Sequence, residues 1–269
     1  MTSEVAQPEP RWPVWYAPAA FLVALVGVFI VAALVQVVVA ATGNDLPTEG
    51  PGIALGGTLV QDLMLVAAAV AFAARTTRPR LWQFGLRRVP LRVAGRAALT
   101  AYAAFWLFSV LYQAAFQPHG KQTVAKDLGA DNGGLLLVLA AVLVIVVAPV
   151  AEEFFFRGFF YRALRSRFSV LVAAVIDGLI FGGIHYTGAQ TVSVLPVLAV
   201  LGFIFCMLYE RTGSIIPGIA VHAANNSLSY AVTVKASGGV AAGLGVGMIA
   251  ACALALQRAP ASGGTPALR

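Results

Sequence analysis

Long apolar runs separated by short polar segments dominate this chain. A helix needs about 20 apolar residues to cross a bilayer, and eight runs meet or approach that length. They are Pro18–Ala41, Ile53–Ala74, Val93–Phe116, Gly134–Arg157 (with a basic extension), Phe168–Tyr186, Thr191–Tyr209, Ser214–Val234 and Gly238–Leu256. The pattern predicts an all-α fold, a polytopic membrane protein built as a bundle of about eight transmembrane helices. The seventh run is the least apolar. The first is longer than the roughly 7–15 residues of a signal-peptide core and no basic segment precedes it, so it reads as a retained span. Residues 1–17 read as an N-terminal segment, 18–256 as the helical domain, and 257–269 as a tail rich in Ala, Pro, Gly and Ser that is expected to be disordered.

Composition supports the same class. Of 269 residues, 59% are apolar and 11% charged, which excludes an ordinary soluble domain. The net charge of +7 does not point to nucleic acid, because the basic residues alternate with the spans. With the N-terminus placed in the cytoplasm, 15 of the 18 basic residues fall on the cytoplasmic side. The opposite side receives Lys121, Lys126 and Lys235 with Asp45, Glu49, Asp127 and Asp131. That bias predicts a multi-pass cell-membrane protein with both termini cytoplasmic. Residues 75–92, with Leu81, Trp82, Phe84 and Leu86 set among arginines, read as an amphipathic connection lying on anionic headgroups. Cys206 and Cys252 have no metal-type spacing and suggest neither a disulfide nor a metal site.

Three spans carry groups that apolar helices normally exclude. Each ionisable side chain at membrane depth costs about 2.5–3.5 kcal/mol on insertion scales, so such groups read as functional. Span four carries Glu152, Glu153 and Arg157, span five Phe181 and His185, and span seven His222 and Asn226. Spans four and five form a hairpin that turns near Phe168. Glu152 lies 16 residues before that turn and His185 lies 17 after it, so the two reach nearly equal depth. His222, eight residues past Ser214, falls at a similar level, nearer the cytoplasmic face. Glu153 and Arg157 are spaced i, i+4 and can pair, leaving Glu152 to face another neighbour. His222 and Asn226 share the same spacing and can point into one cavity.

The chemistry follows from the residue types. Glu152 beside His185 can hold and deprotonate a water molecule. His222 and Asn226 offer N–H donors to an oxyanion. No serine or cysteine nucleophile accompanies them, so hydrolysis of an amide by activated water fits these groups best.

These motifs resemble those of the CPBP (Abi, CAAX-protease-like) intramembrane endopeptidases, which include the type II CAAX prenyl proteases. The EExxxR motif is found as Glu152, Glu153 and Arg157, FxxxH as Phe181 and His185, and HxxxN as His222 and Asn226, preceded by the run from Thr212 to Pro217. The resemblance covers about residues 134–235. It implies an eight-helix fold with a cytoplasm-facing cavity, Glu152 and His185 activating water, and His222 and Asn226 as the oxyanion site. Glu153, Arg157 and Phe181 would be supporting residues. No cofactor is expected, and the partners would be a membrane-associated peptide or protein substrate and the bilayer.

Other readings use the same residues. Glu152, His185 and His222 could ligate zinc in a metalloprotease, although no H-E-x-x-H helix is present. A proton-coupled transporter would use Glu, His and Asp as a relay, but no inverted repeat is visible. A non-catalytic immunity or scaffold protein would keep the fold alone. Asp62 and Asp177 lie outside the motifs and read as structural hydrogen-bonding groups, with a proton or substrate path as the alternative. Gly239, Gly243 and Gly247 read as a face for packing within the bundle, with dimerisation as the alternative.

Overall fold

A computed structural model describes residues 11–43, 50–120, 123–234 and 237–260. Among these residues are eight long helical rods and no strand. They are α1 (Tyr16–Ala41), α2 (Pro51–Ala74), α3 (Leu91–Phe116), α4 (Gly134–Arg165), α5 (Val170–Gly183), α6 (Leu195–Thr212), α7 (Ile216–Thr233) and α8 (Gly238–Arg258). All but two have the length and apolarity to span a bilayer once the 3-10 turn at Ala189–Val194 is joined to α6. The exceptions are α5, at 14 residues, and α7, whose polar groups lower its hydropathy. The protein is an all-α polytopic membrane protein. Lys121, Lys235, Asp45 and Glu49 lie outside the described residues, as does the tail from residue 261, while α8 runs on to Arg258.

Local sequence sets the helix ends. Pro51, Pro196 and Pro217 open α2, α6 and α7 in the first turn, where a missing N–H costs nothing. Gly213 closes α6 in the left-handed conformation, φ 65°, with its N–H bonded to the Tyr209 carbonyl at 2.6 Å. On α1, Ala17, Ala20 and Ala24 are buried while Leu22, Val26 and Phe29 are exposed, as expected for a helix with one face on the bundle and the other toward lipid.

The tightest helix pair is α5 with α6. A Cβ on Gly178 would lie 2.5 Å from the Ala199 carbonyl oxygen, and one on Gly182 would lie 2.8 Å from the Ala199 nitrogen. These small residues let the two backbones touch. Gly239, Gly243 and Gly247 behave differently from the sequence reading. All three are exposed, with no atom within 4 Å of an added Cβ, so they do not pack within the bundle. Gly245 faces inward instead, against Ser227.

The arginine-rich connection also departs from expectation. It does not lie outside the bundle but folds into its end. Gln83, Phe84, Arg87 and Val89 are buried, and Phe84 stacks on Phe154 at 4.4 Å between ring centroids. The Ile215 N–H donates to the Gly85 carbonyl at 2.9 Å, and Ser214 Oγ donates to the Arg87 carbonyl at 3.0 Å. Arg87 Nε turns back onto the Trp82 carbonyl at 2.8 Å. Phe84, Leu86 and Val89 thus cap the bundle core while Leu81 and most of the guanidinium groups stay at the rim.

Candidate active site

The site forms where α4, α5 and α7 meet. α4 is an interrupted helix, with π-helical turns at Leu143–Val147 and Phe156–Phe160 on either side of the glutamate pair. Such turns free carbonyls from the regular ladder and recur at functional sites. One of them is used here: Asn226 Nδ2 donates to the Val144 carbonyl at 2.9 Å, tying α7 to the first π turn.

Glu152 and Glu153 point in different directions, as their spacing predicts. Glu153 Oε1 accepts from Arg157 Nη1 at 2.9 Å, with both side chains at 1% exposure or less. The same guanidinium meets Asp177 Oδ1 at 3.1 Å and donates to the Gly202 carbonyl at 2.7 Å. It also stands 4.5 Å from the Phe181 ring centroid. Arg157 therefore binds α4, α5 and α6 together. A buried charge survives only when paired and hydrogen-bonded in this way. Cys206 Sγ adds a bond to Asp177 Oδ1 at 3.2 Å, and both cysteines are free and buried.

His222 lies between the glutamates. Its Nδ1 is 3.3 Å from Glu153 Oε1, and its Nε2 is 3.9 Å from Glu152 Oε2. Glu152 Oε2 is buried with no hydrogen-bond partner among the described residues. His185 stands in a turn just beyond the end of α5 rather than within the helix. Its Nδ1 is 2.8 Å from the Phe181 carbonyl oxygen. A carbonyl can only accept, so Nδ1 carries the proton and Nε2 of the neutral ring keeps its lone pair. Phe181 touches both imidazoles, at centroid distances of 5.1 Å to His185 and 5.8 Å to His222.

Glu152, His185, His222 and Asn226 all line a single cavity of about 290 Å³. Phe181 lines it too, whereas Glu153 and Arg157 lie behind its wall. Apolar walls come from Ile184, Leu198 and Leu201, and polar groups from Gln61, Thr58 and Ser229. Among the described residues no group of three His, Cys, Asp or Glu side chains is placed to hold a metal ion. Glu152, His185 and His222, the residues of the zinc reading, do not form such a group.

Residues 134–228 match the family model described as type II CAAX prenyl endopeptidase Rce1-like. The motif-bearing segment is similar to that family. All seven residues of the three motifs fall within it. The activity implied by that family is cleavage of a peptide bond by an intramembrane protease. Among curated proteins and solved structures, none gives a significant match.

Two features of the site escaped the sequence reading. Asp177 is the second counter-ion of Arg157, signalled only by its being an acid one turn before Phe181. The cavity also runs in the unexpected direction. From the glutamate level it follows Glu152, Ala148 and Val144 along α4, and His222, Asn226 and Thr233 along α7. Both series lead away from the arginine-bearing helix ends and toward the short helix Val124–Asp127. A cavity opening beside the arginine-rich loops was expected, but residues 81–89 fill that end.

Proposed function

We propose that the protein is an intramembrane endopeptidase. Glu152 and the lone pair of His185 Nε2 bind a water molecule and take its proton as the oxygen attacks the peptide carbonyl. Asn226 and His222 then face the developing oxyanion. Asn226 has two N–H groups. The bond to Val144 holds one and leaves the other for substrate. His222 donates through Nε2 when both ring nitrogens carry protons, with Nδ1–H directed to Glu153. Glu153, Arg157 and Asp177 hold these groups in place and make no contact with the cavity. The leaving amine collects the proton held by Glu152.

The observation that supports this most is the position of Glu152. It is the one carboxylate of the buried cluster that borders the cavity, 3.9 Å from His222 and free of the Arg157 pair. We assign the arginine-bearing end of the bundle to the cytoplasm on the positive-inside bias. The function is tested by terminus-resolved proteomics on membranes containing the wild-type protein or Glu152→Ala. New N- or C-termini present only with the wild type support it. Identical sets of termini at equal expression refute it.

A further inference from the structure

Asp62 is the one ionisable side chain of α2, and the proposed mechanism does not use it. It is buried, and neither of its oxygens has a hydrogen-bond partner among the described residues. Its place follows from the register of α2 against α4. Ala54 and Val144 pack in one apolar cluster, and one turn further along each helix Thr58 and Ala148 stand in the cavity wall. The next turn reaches Asp62 on α2 and Glu152 on α4. The two helices pack against each other over the Ala148–Phe155 stretch of α4.

The surroundings of Asp62 single out one partner. α1, which also packs on α2, carries no ionisable group except Tyr16, and that ring lies on Phe72 near the end of α2. On α4, Glu153 is bound to Arg157, which is bound in turn to Asp177. Glu152 remains, and its charge acts on Asp62. Glu152 Oε2 is itself buried and without a partner among the described residues. Three acceptor oxygens, two of Asp62 and one of Glu152, therefore share one buried layer. Ionised carboxylates can only accept, so two anions would repel and leave all three oxygens unsatisfied. A single proton on the pair supplies the missing donor.

We propose that Asp62 is a positioning residue for Glu152: its carboxyl keeps a proton and donates it toward Glu152 Oε2, which fixes the carboxylate and leaves Oε1 for the cavity. The task of Glu152 rests on the endopeptidase reading. In that reaction the proton of the attacking water passes to Glu152 and then to the leaving amine, while the Asp62 proton stays in place. Holding one oxygen keeps the other aligned with the water. Misplacement of a reacting group by about 1 Å can lower a rate by about 10²-fold. A buried polar group that costs stability is retained where it serves the reaction.

Asp62→Asn and Asp62→Leu test this, because both preserve the approximate size of the side chain and only the first keeps a donor. With a peptide spanning a mapped site, kcat of Asp62→Leu is expected to fall by about 10²-fold, with KM unchanged and an unfolding midpoint no lower than wild type. Asp62→Asn is expected to recover most of that loss. Wild-type kcat in Asp62→Leu, or equal losses in the two variants, overturns the proposal. Infrared spectroscopy reads the proton without any cleavage, since a protonated carboxyl has a carbonyl stretch that a carboxylate lacks. At neutral pH that band is expected in the wild type, missing from Asp62→Asn, and displaced in Glu152→Gln, where an amide replaces the acceptor. No such band in the wild type, or a band unmoved in both variants, overturns the proposal. If no protein cleaves, wild type included, the endopeptidase reading fails, while the spectra still decide whether Asp62 holds its proton against Glu152.

Discussion

Glu153 and Arg157 are joined at 2.9 Å inside the bundle, and that bond separates the roles of two adjacent glutamates. Glu153 is held by a guanidinium that also binds Asp177 and the Gly202 carbonyl, so it belongs to the framework. Glu152, one residue away and turned by about 100°, is left for the cavity. Removing one partner of a buried pair strands the other, at about 3–5 kcal/mol. Arg157→Leu is therefore expected to lower the unfolding midpoint in detergent sharply, or to prevent accumulation of the protein. Glu152→Gln, lacking such a bond, is expected to leave the midpoint unchanged. Equal midpoints for both variants would contradict this division.

The contact between α5 and α6 gives a second expectation. Gly182→Val would drive a side chain into the Ala199 backbone, whereas Gly183→Val meets nothing within 4 Å. Overpacking of this kind costs about 1–3 kcal/mol. Thermal unfolding should distinguish the two variants, with only Gly182→Val destabilised.

Asn226 has two tasks in this account, anchoring α7 to the π turn at Val144 and donating to the oxyanion. Loss of one oxyanion donor typically lowers the rate by about 10²–10³-fold. Asn226→Ala should reduce turnover of an identified peptide by that order. Asn226→Gln, which keeps an amide but displaces it, should restore little. An Asn226→Ala variant cleaving at the wild-type rate would remove this residue from the site.

Asp62 lies on α2 with 1% exposure, and neither carboxylate oxygen has a hydrogen-bond partner among the described residues. A buried unsatisfied polar group costs about 1–3 kcal/mol. Asp62→Leu should therefore raise the unfolding midpoint. A fall would show that the carboxyl is satisfied by a group outside the protein chain.

Hydropathy made the eight rods legible. The i, i+4 spacing of Glu153 and Arg157 gave their pairing, and that of His222 and Asn226 their common cavity. The cavity's direction was hidden for a physical reason. Ser214, from which the depth of His222 is reckoned, does not end a loop in the open but is buried with Ile215 beneath residues 85–87. The arginines of 75–92 resemble those of any loop lying on a membrane surface. Only Trp82, Phe84 and Leu86 hinted that the segment turns inward. The π turns in α4 have no signature in a run as uniform as Leu143–Val147. His185 was placed on a helix that in fact ends at Gly183, so its link to Phe181 runs through the backbone carbonyl as well as the ring.

The account depends most on Glu152 acting on water in the shared cavity. The direct measurement is the cleavage rate of a peptide spanning a mapped site, using purified wild type and Glu152→Gln in lipid vesicles, with unfolding midpoints recorded in parallel. The expected result is a loss of about 10²–10⁴-fold in rate with the midpoint unchanged. Equal rates from two equally stable proteins would contradict it.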